Sequence, residues 1–167
     1  MRKGLLLHAS SVAISGKAIL FLGHSNAGKS TISKLLSERY PMIADDKVWV
    51  FCPKDGNWMV QDASLDFRQI YFDNRRFRGE SYPLLAIVRI FKGNVICMDS
   101  ISSKETCMQL MNAVFEINLL RVIQSLAIKK EWFVAAAQIS REIKGWRLTF
   151  PKCKSIITKI HEVFESE

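Results

Sequence analysis

Apolar and polar positions recur along the chain with two different periods, and the change of period marks the predicted elements. Leu5–Leu7 and Val12–Ile14 are short apolar runs that predict two strands, with Ser15-Gly16 as a turn. Ala18-Ile19-Leu20-Phe21-Leu22 is an unbroken apolar run, the pattern of a strand covered on both faces in an α/β sheet. A Gly-rich loop follows, and then Ile32, Leu35 and Leu36 stand at helical spacing, predicting a helix from about Lys29 to Arg39 that Pro41 stops. Met42-Ile43-Ala44 predicts a strand running into Asp45-Asp46.

Further along, Val48–Phe51 and Trp58–Val60 predict a hairpin around Pro53–Asn57, whereas the polar residues 62–82 fit no element. Leu84–Phe91 and Val95–Met98 predict a second hairpin, joined through Lys92-Gly93-Asn94. Ser102-Ser103-Lys104-Glu105 has the form of a capping box, a hydroxyl and a carboxylate that satisfy the free amides of a new helix. Helical periodicity then persists from about Lys104 to Ile143, read as two helices broken near Ile128–Glu131. Trp146–Phe150 predicts a late strand, Pro151 a stop, and Ser155–Phe164 a closing helix. The expected class is α/β: a P-loop-containing mixed β-sheet with hairpins and a helical last third.

Composition narrows the class further. With 167 residues, 49% apolar and 24% charged, the chain is neither a disordered tail, a collagen-like repeat nor a low-complexity linker. No repeat or linker divides it, so residues 1–167 are expected to form one domain, large enough to fold without disulfides or structural zinc. Cys52, Cys97, Cys107 and Cys153 include no C-x-x-C pair and no His at zinc-finger spacing, which fits free thiols in a reducing cytoplasm. Met1–Leu7 begins like a secretory signal, but His8, Ser10 and Ser11 break its apolar run. No stretch approaches the about 18–20 apolar residues of a membrane span. A cytoplasmic protein is expected. The net charge of +8 favours polyanionic partners without choosing among them.

Candidate chemistry concentrates in Gly23-His24-Ser25-Asn26-Ala27-Gly28-Lys29-Ser30, which fits the phosphate-loop pattern G-x-x-x-x-G-K-[ST] at every fixed position. The spacing has a physical reason. Gly23 lets the chain leave the strand sharply, and Gly28 lets amides approach phosphate with no Cβ in the way. Amides around Asn26–Lys29 then form an anion nest at a helix N-terminus, Lys29 meets the terminal phosphates, and the Ser30 hydroxyl can ligate Mg²⁺. Residues 23–31, Thr31 included, are the expected nucleotide contacts. The loop lies between an apolar strand and an amphipathic helix, the context this mechanism requires.

Such a site also needs a carboxylate at a strand end for the metal. Asp45-Asp46 and Asp99 compete for that role. The pair is favoured, because a right-handed crossover from the loop strand through one helix returns a parallel strand whose end lies beside the loop. Two adjacent carboxylates also offer two roles, metal ligation and acceptance of a proton from an incoming hydroxyl. Asp99 instead ends the return arm of the expected hairpin.

The run His8–Ile14, then Gly16–Gly23, the phosphate loop and Ile43-Ala44-Asp45-Asp46 resemble the HPr kinase/phosphorylase catalytic domain. The likeness is closest to stand-alone HPr-kinase-like serine kinases, some of which accompany bacterial peptide-modification clusters. Tyr82-Pro83-Leu84 with its following strand, and Trp146–Pro151, are weaker echoes. A Glu-Ile-Arg-Gly-Leu-Gly type run, which HPr kinase/phosphorylases carry after the Asp pair, is missing. The resemblance implies a fold like that of phosphoenolpyruvate carboxykinase, ATP with Mg²⁺, and a seryl hydroxyl on a small protein or peptide as acceptor. It also implies that Asp45 and Asp46 divide metal contact and general base between them, with Asp45 beside Ser30 as candidate metal ligand, and that His8 approaches the phosphates from the first strand. A core histidine is the alternative for His8.

Arg75, Arg76 and Arg78 crowd the polar segment beside Phe72 and Phe77, and an arginine aimed at a transferring phosphoryl group lowers its barrier. A solvated loop is the alternative. Nucleic acid is the other partner that arginines among aromatics suggest, but no nucleic-acid module accompanies them. Leu110, Met111, Val114 and Phe115 read as core, with surplus enough for a contact between subunits. The expected function is a Mg·ATP-dependent serine kinase. A nucleotide-binding regulatory module and a basic NTPase associated with nucleic acid are the rival readings.

Overall fold

The computed structural model of the chain describes residues 4–54, 56–64, 80–117 and 125–165. Its strands are β1 (Gly4–His8), β2 (Ser10–Ile14), β3 (Lys17–Leu22), β4 (Met42–Ala44), β5 (Lys47–Phe51), β6 (Met59–Asp62), β7 (Tyr82–Lys92), β8 (Cys97–Ile101) and β9 (Lys144–Phe150). The helices are α1 (Lys29–Leu36), α2 (Ser103–Phe115), α3 (Leu126–Glu142) and α4 (Ser155–Phe164). Hydrogen bonding links the strands in the order β1-β5-β6-β7-β3-β2-β4, with β9 also on β7 and β8 beyond β9. β3 runs parallel to β7, and β7 parallel to β9; every other pairing is antiparallel. The result is a mixed α/β fold with one large sheet.

β3 is buried on both sides, as its unbroken apolar run requires. Ala18, Leu20 and Leu22 belong to one core with residues of α2 and α3, whereas Ile19 and Phe21 belong to a second core with α1 and α4. Alternation along a strand sends successive side chains to opposite faces, so helices must cover both. β1, β5 and β6 extend the first core, with Trp58 sealed inside it and its ring N–H donated to Glu142 at 2.8 Å. This sub-sheet joins the rest through Met59 and Val60, which pair with Pro83 and Tyr82 at the start of β7.

The structure corrects three expectations. β7 and β8 do not form a hairpin, because β9 lies between them, parallel to one and antiparallel to the other. The short link carries the chain across the end of β9, where Gly93 N–H donates to Phe150 O at 3.1 Å. The long helical stretch does not break at Ile128–Glu131, which lie inside α3. No Gly or Pro interrupts that stretch, and Lys130 and Glu131 are exposed, so a helix accommodates them. α1 ends at Leu36, short of Arg39, and the bonds Arg39 N–H to Leu36 O and Tyr40 N–H to Leu36 O close the turn into Pro41.

The capping box forms by half. Ser102 Oγ accepts from the Glu105 amide at 3.2 Å, but the Glu105 carboxylate turns to Arg147 at 2.8 Å. Gly145 on β9 packs against this first turn of α2. A Cβ there would lie 2.0 Å from Thr106 Oγ1 and 3.0 Å from Ile101 Cγ1. Gly145→Ala is therefore expected to cost about 1–3 kcal/mol through overpacking, read as a fall of several degrees in thermal unfolding. All four cysteines are free, and no helix among the described residues is long and apolar enough to cross a membrane.

Candidate functional site

The candidate loop begins where β3 ends. A Cβ on Gly23 would stand 2.8 Å from Ala27 Cβ and 3.2 Å from Ile90 O, so the close fit against β7 requires glycine. Asn26 (φ 66°) and Gly28 (φ 106°) adopt left-handed conformations that curl the loop into the first turn of α1. No side chain caps that helix at Gly28. The first amides of a helix lack intrahelical acceptors, so this end is left with donors and the positive end of the dipole.

Lys29 closes the loop from inside. Its Nζ donates to Gly23 O at 2.6 Å and to His24 O at 3.1 Å, and only 6% of the residue is exposed. Burial lowers the pKa of this amine from the ordinary lysine value, while the charges of Glu116 and Asp46 pull it back up. Ser10 Oγ, from β2, donates to Lys29 O at 3.0 Å and fixes the start of the helix to the sheet. Beside the loop opens a cleft of about 450 Å³ lined by His8, Ser25, Asn26, Gly28, Lys29, Ser30, Thr31 and Lys92. Of the expected contacts, this wall holds His8 and six of residues 23–31. Gly23 and His24 line a second, smaller cleft with Asn112 and Glu116.

Asp45 and Asp46 follow β4. That strand runs in the direction of β3, as the crossover argument requires, but β2 separates the two. Neither carboxylate lines the cleft, but each contacts a residue beside it or on its wall. Asp45 Oδ1 accepts from Ser33 Oγ on α1 at 3.0 Å. Asp46 Oδ1 lies 3.4 Å from His8 Nε2, and its Oδ2 is 3.0 Å from Lys47 Nζ. Ala9 N–H donates to Asp46 O at 3.1 Å, which ties the corner between β1 and β2 to the acidic pair. His8, the last residue of β1, is half-buried and lines the cleft rather than a core.

Glu116, at the end of α2, is the residue that sequence reasoning missed. Its Oε2 lies 2.8 Å from His8 Nδ1 and 3.8 Å from Lys29 Nζ, and its Oε1 is 3.7 Å from His24 Nδ1. No signal in the sequence points to it, because helical periodicity runs on past residue 116 and only the structure shows the helix ending there. Lys92 was missed as well. It ends the apolar run of β7 and so opens onto the cleft.

Residues 1–165 match the family model described as SynChlorMet cassette protein ScmC. The chain belongs to the ScmC family. No curated protein matches this ScmC-family chain in sequence. Among solved structures, it is similar to one titled Hpr(Ser) kinase/phosphatase from Coxiella burnetii, at 11% identity over 96% of this chain and 94% of that one, with a TM-score of 0.46.

The other expected residues of the ScmC-family chain lie elsewhere. Asp99 sits exposed on β8, which among the described residues pairs with β9 alone, accepts from Cys97 Sγ at 3.2 Å and does not line the cleft. Arg75, Arg76 and Arg78 fall outside the described residues. Arg147 is held by Glu105, which Arg89 also approaches to 3.7 Å.

Proposed function

We propose that this chain is a Mg·ATP-dependent kinase that transfers the γ-phosphate to a seryl hydroxyl of a small protein or peptide. The observation that carries the reading is the folded-back Lys29. Its ammonium spans the mouth of a loop with two left-handed residues, directly before an uncapped helix, so that one cation and several amides converge on one small volume. That arrangement suits the β- and γ-phosphates of a nucleotide. ATP in particular, and serine as acceptor, are supported by the resemblance of residues 4–50 to HPr-kinase-like serine kinases.

In this reading residues 23–31 bind the triphosphate, with Lys92 and His8 facing it across the cleft. Ser30 and Asp45 would hold Mg²⁺; both are hard oxygen donors, as that ion requires, and Asp45 is fixed by Ser33. When bound, the ion offsets charge on the phosphate oxygens. Asp46, more exposed than Asp45, takes the proton of the acceptor hydroxyl. The freed oxygen lone pair forms a bond to the γ-phosphorus as the bond to the bridging oxygen breaks, and ADP leaves with that electron pair.

The family description names a cassette protein, so proteins and peptides encoded beside it are the first acceptors to try. The test is incubation with γ-labelled ATP and those candidates, followed by mass spectrometry. Label on a seryl residue of one candidate is the expected result. Tight ATP binding with no transfer to any of them would instead make the chain a nucleotide-binding module.

A further inference from the structure

Glu116 has no part in the transfer just described, yet it makes more contacts in the site than either aspartate. Its position is unfavourable in isolation. It stands at the C-terminal end of α2, where the helix dipole is negative, no basic residue occupies the last turn, and 20% of its side chain is exposed. An anion persists there when cations or N–H donors hold it, and here His8, His24 and Lys29 surround it.

The geometry at His8 assigns the role. Its imidazole lies between two carboxylates, with Nδ1 at 2.8 Å from Glu116 and Nε2 at 3.4 Å from Asp46. A neutral imidazole carries one N–H, and the shorter, better-formed contact takes it. Glu116 therefore keeps the proton on Nδ1 and leaves Nε2 with its lone pair toward Asp46. Without Glu116, Asp46 would be the only carboxylate left to the ring among the described residues. The proton would move to Nε2 and bond to Asp46, occupying the group that must receive the acceptor's proton. The same carboxylate also approaches the Lys29 ammonium over the loop.

We propose that Glu116 is a positioning residue, which holds His8 in its Nδ1–H form and so keeps Asp46 available to the acceptor hydroxyl. The proposal rests on the kinase reading of the site. Its first test does not need activity. In ¹⁵N-labelled full-length protein, in alkaline solution where the ring is neutral, the His8 signals are expected to show the proton on Nδ1. In Glu116→Gln the neutral amide competes poorly with the charged Asp46, because hydrogen bonds to an ionised acceptor are about twice as strong, and the proton is expected on Nε2.

The second test separates positioning from damage. Glu116→Gln should bind Mg·ATP at least as tightly as the unaltered chain, having lost an anion near the phosphates, while transferring phosphate at least about tenfold more slowly. A proton on Nε2 in the unaltered chain, or an unchanged ring signal in the variant, overturns the proposal, as does parallel loss of binding and transfer. If the unaltered chain transfers to no acceptor, the kinase reading fails while the ring signals still decide the role of Glu116. If the variant does not fold, the spectrum of the unaltered chain decides alone.

Discussion

Lys29→Ala is expected to abolish phosphoryl transfer and to leave the fold in place. In the proposed reading the ammonium is the cation that the loop directs at the transferring group, and removing one preorganised donor costs about 10²–10³ in rate. Here the loss is expected to exceed that range, because the same ammonium also donates to Gly23 O and His24 O and so holds the loop curled. Triphosphate affinity should fall with it. The helix itself does not depend on the amine, since alanine is the best helix former and α1 is anchored by Ile32 and Leu36 in the core. Titration with Mg·ATP, a transfer assay and a thermal melt together check this. Unchanged transfer would remove the loop from the mechanism, and collapse of the melt would make Lys29 a folding residue instead.

The second large effect is expected at Asp46. Asp46→Asn keeps the shape but removes the basic oxygen pair, and loss of a general base lowers rates by about 10²–10⁴. Nucleotide affinity should move by less than about threefold, because the side chain is 57% exposed and its contacts are with His8 and Lys47, not with the loop. Asp99→Asn is the control. That carboxylate lies on the edge strand β8 and away from the cleft, so transfer should be unaffected. If Asp99→Asn shows the defect and Asp46→Asn does not, the assignment of the carboxylates is wrong.

Where a feature depends on neighbours in sequence, the chain announces it. The strand, loop and helix of residues 17–36 follow from one apolar run, two glycines and a helical stripe, and the structure agrees but for a shorter helix end. α4 appears with the predicted bounds, Ser155–Phe164. The turn at Ser15-Gly16 adopts φ values of 49° and 75°, as a tight hairpin demands. Where a feature depends on distant residues, local pattern misleads. Val95–Met98 reads as the partner of Leu84–Phe91, and nothing nearby reveals that residues 144–150 insert between them.

The candidate site divides along the same line. His8, the loop and the Asp pair lie within one stretch and were legible together. Glu116 joins them from 108 positions beyond His8, brought in because α2 packs on the face of the sheet that carries β1 and β3. A helix read only for its apolar stripe gives no reason to single out its final polar residue. The dipole argument does once the structure shows that α2 ends there, since an acid at that end is disfavoured unless cations or donors lie nearby.

The central claim is that a triphosphate sits on the curl between β3 and α1, facing the acids that follow β4. A crystal grown with a non-hydrolysable ATP analogue and Mg²⁺ tests it most directly. The expected density runs along the amides of residues 26–30 and meets the Lys29 amine, with the ion between Ser30 and Asp45. Phosphates bound elsewhere, or both aspartates facing away from them, would contradict the account.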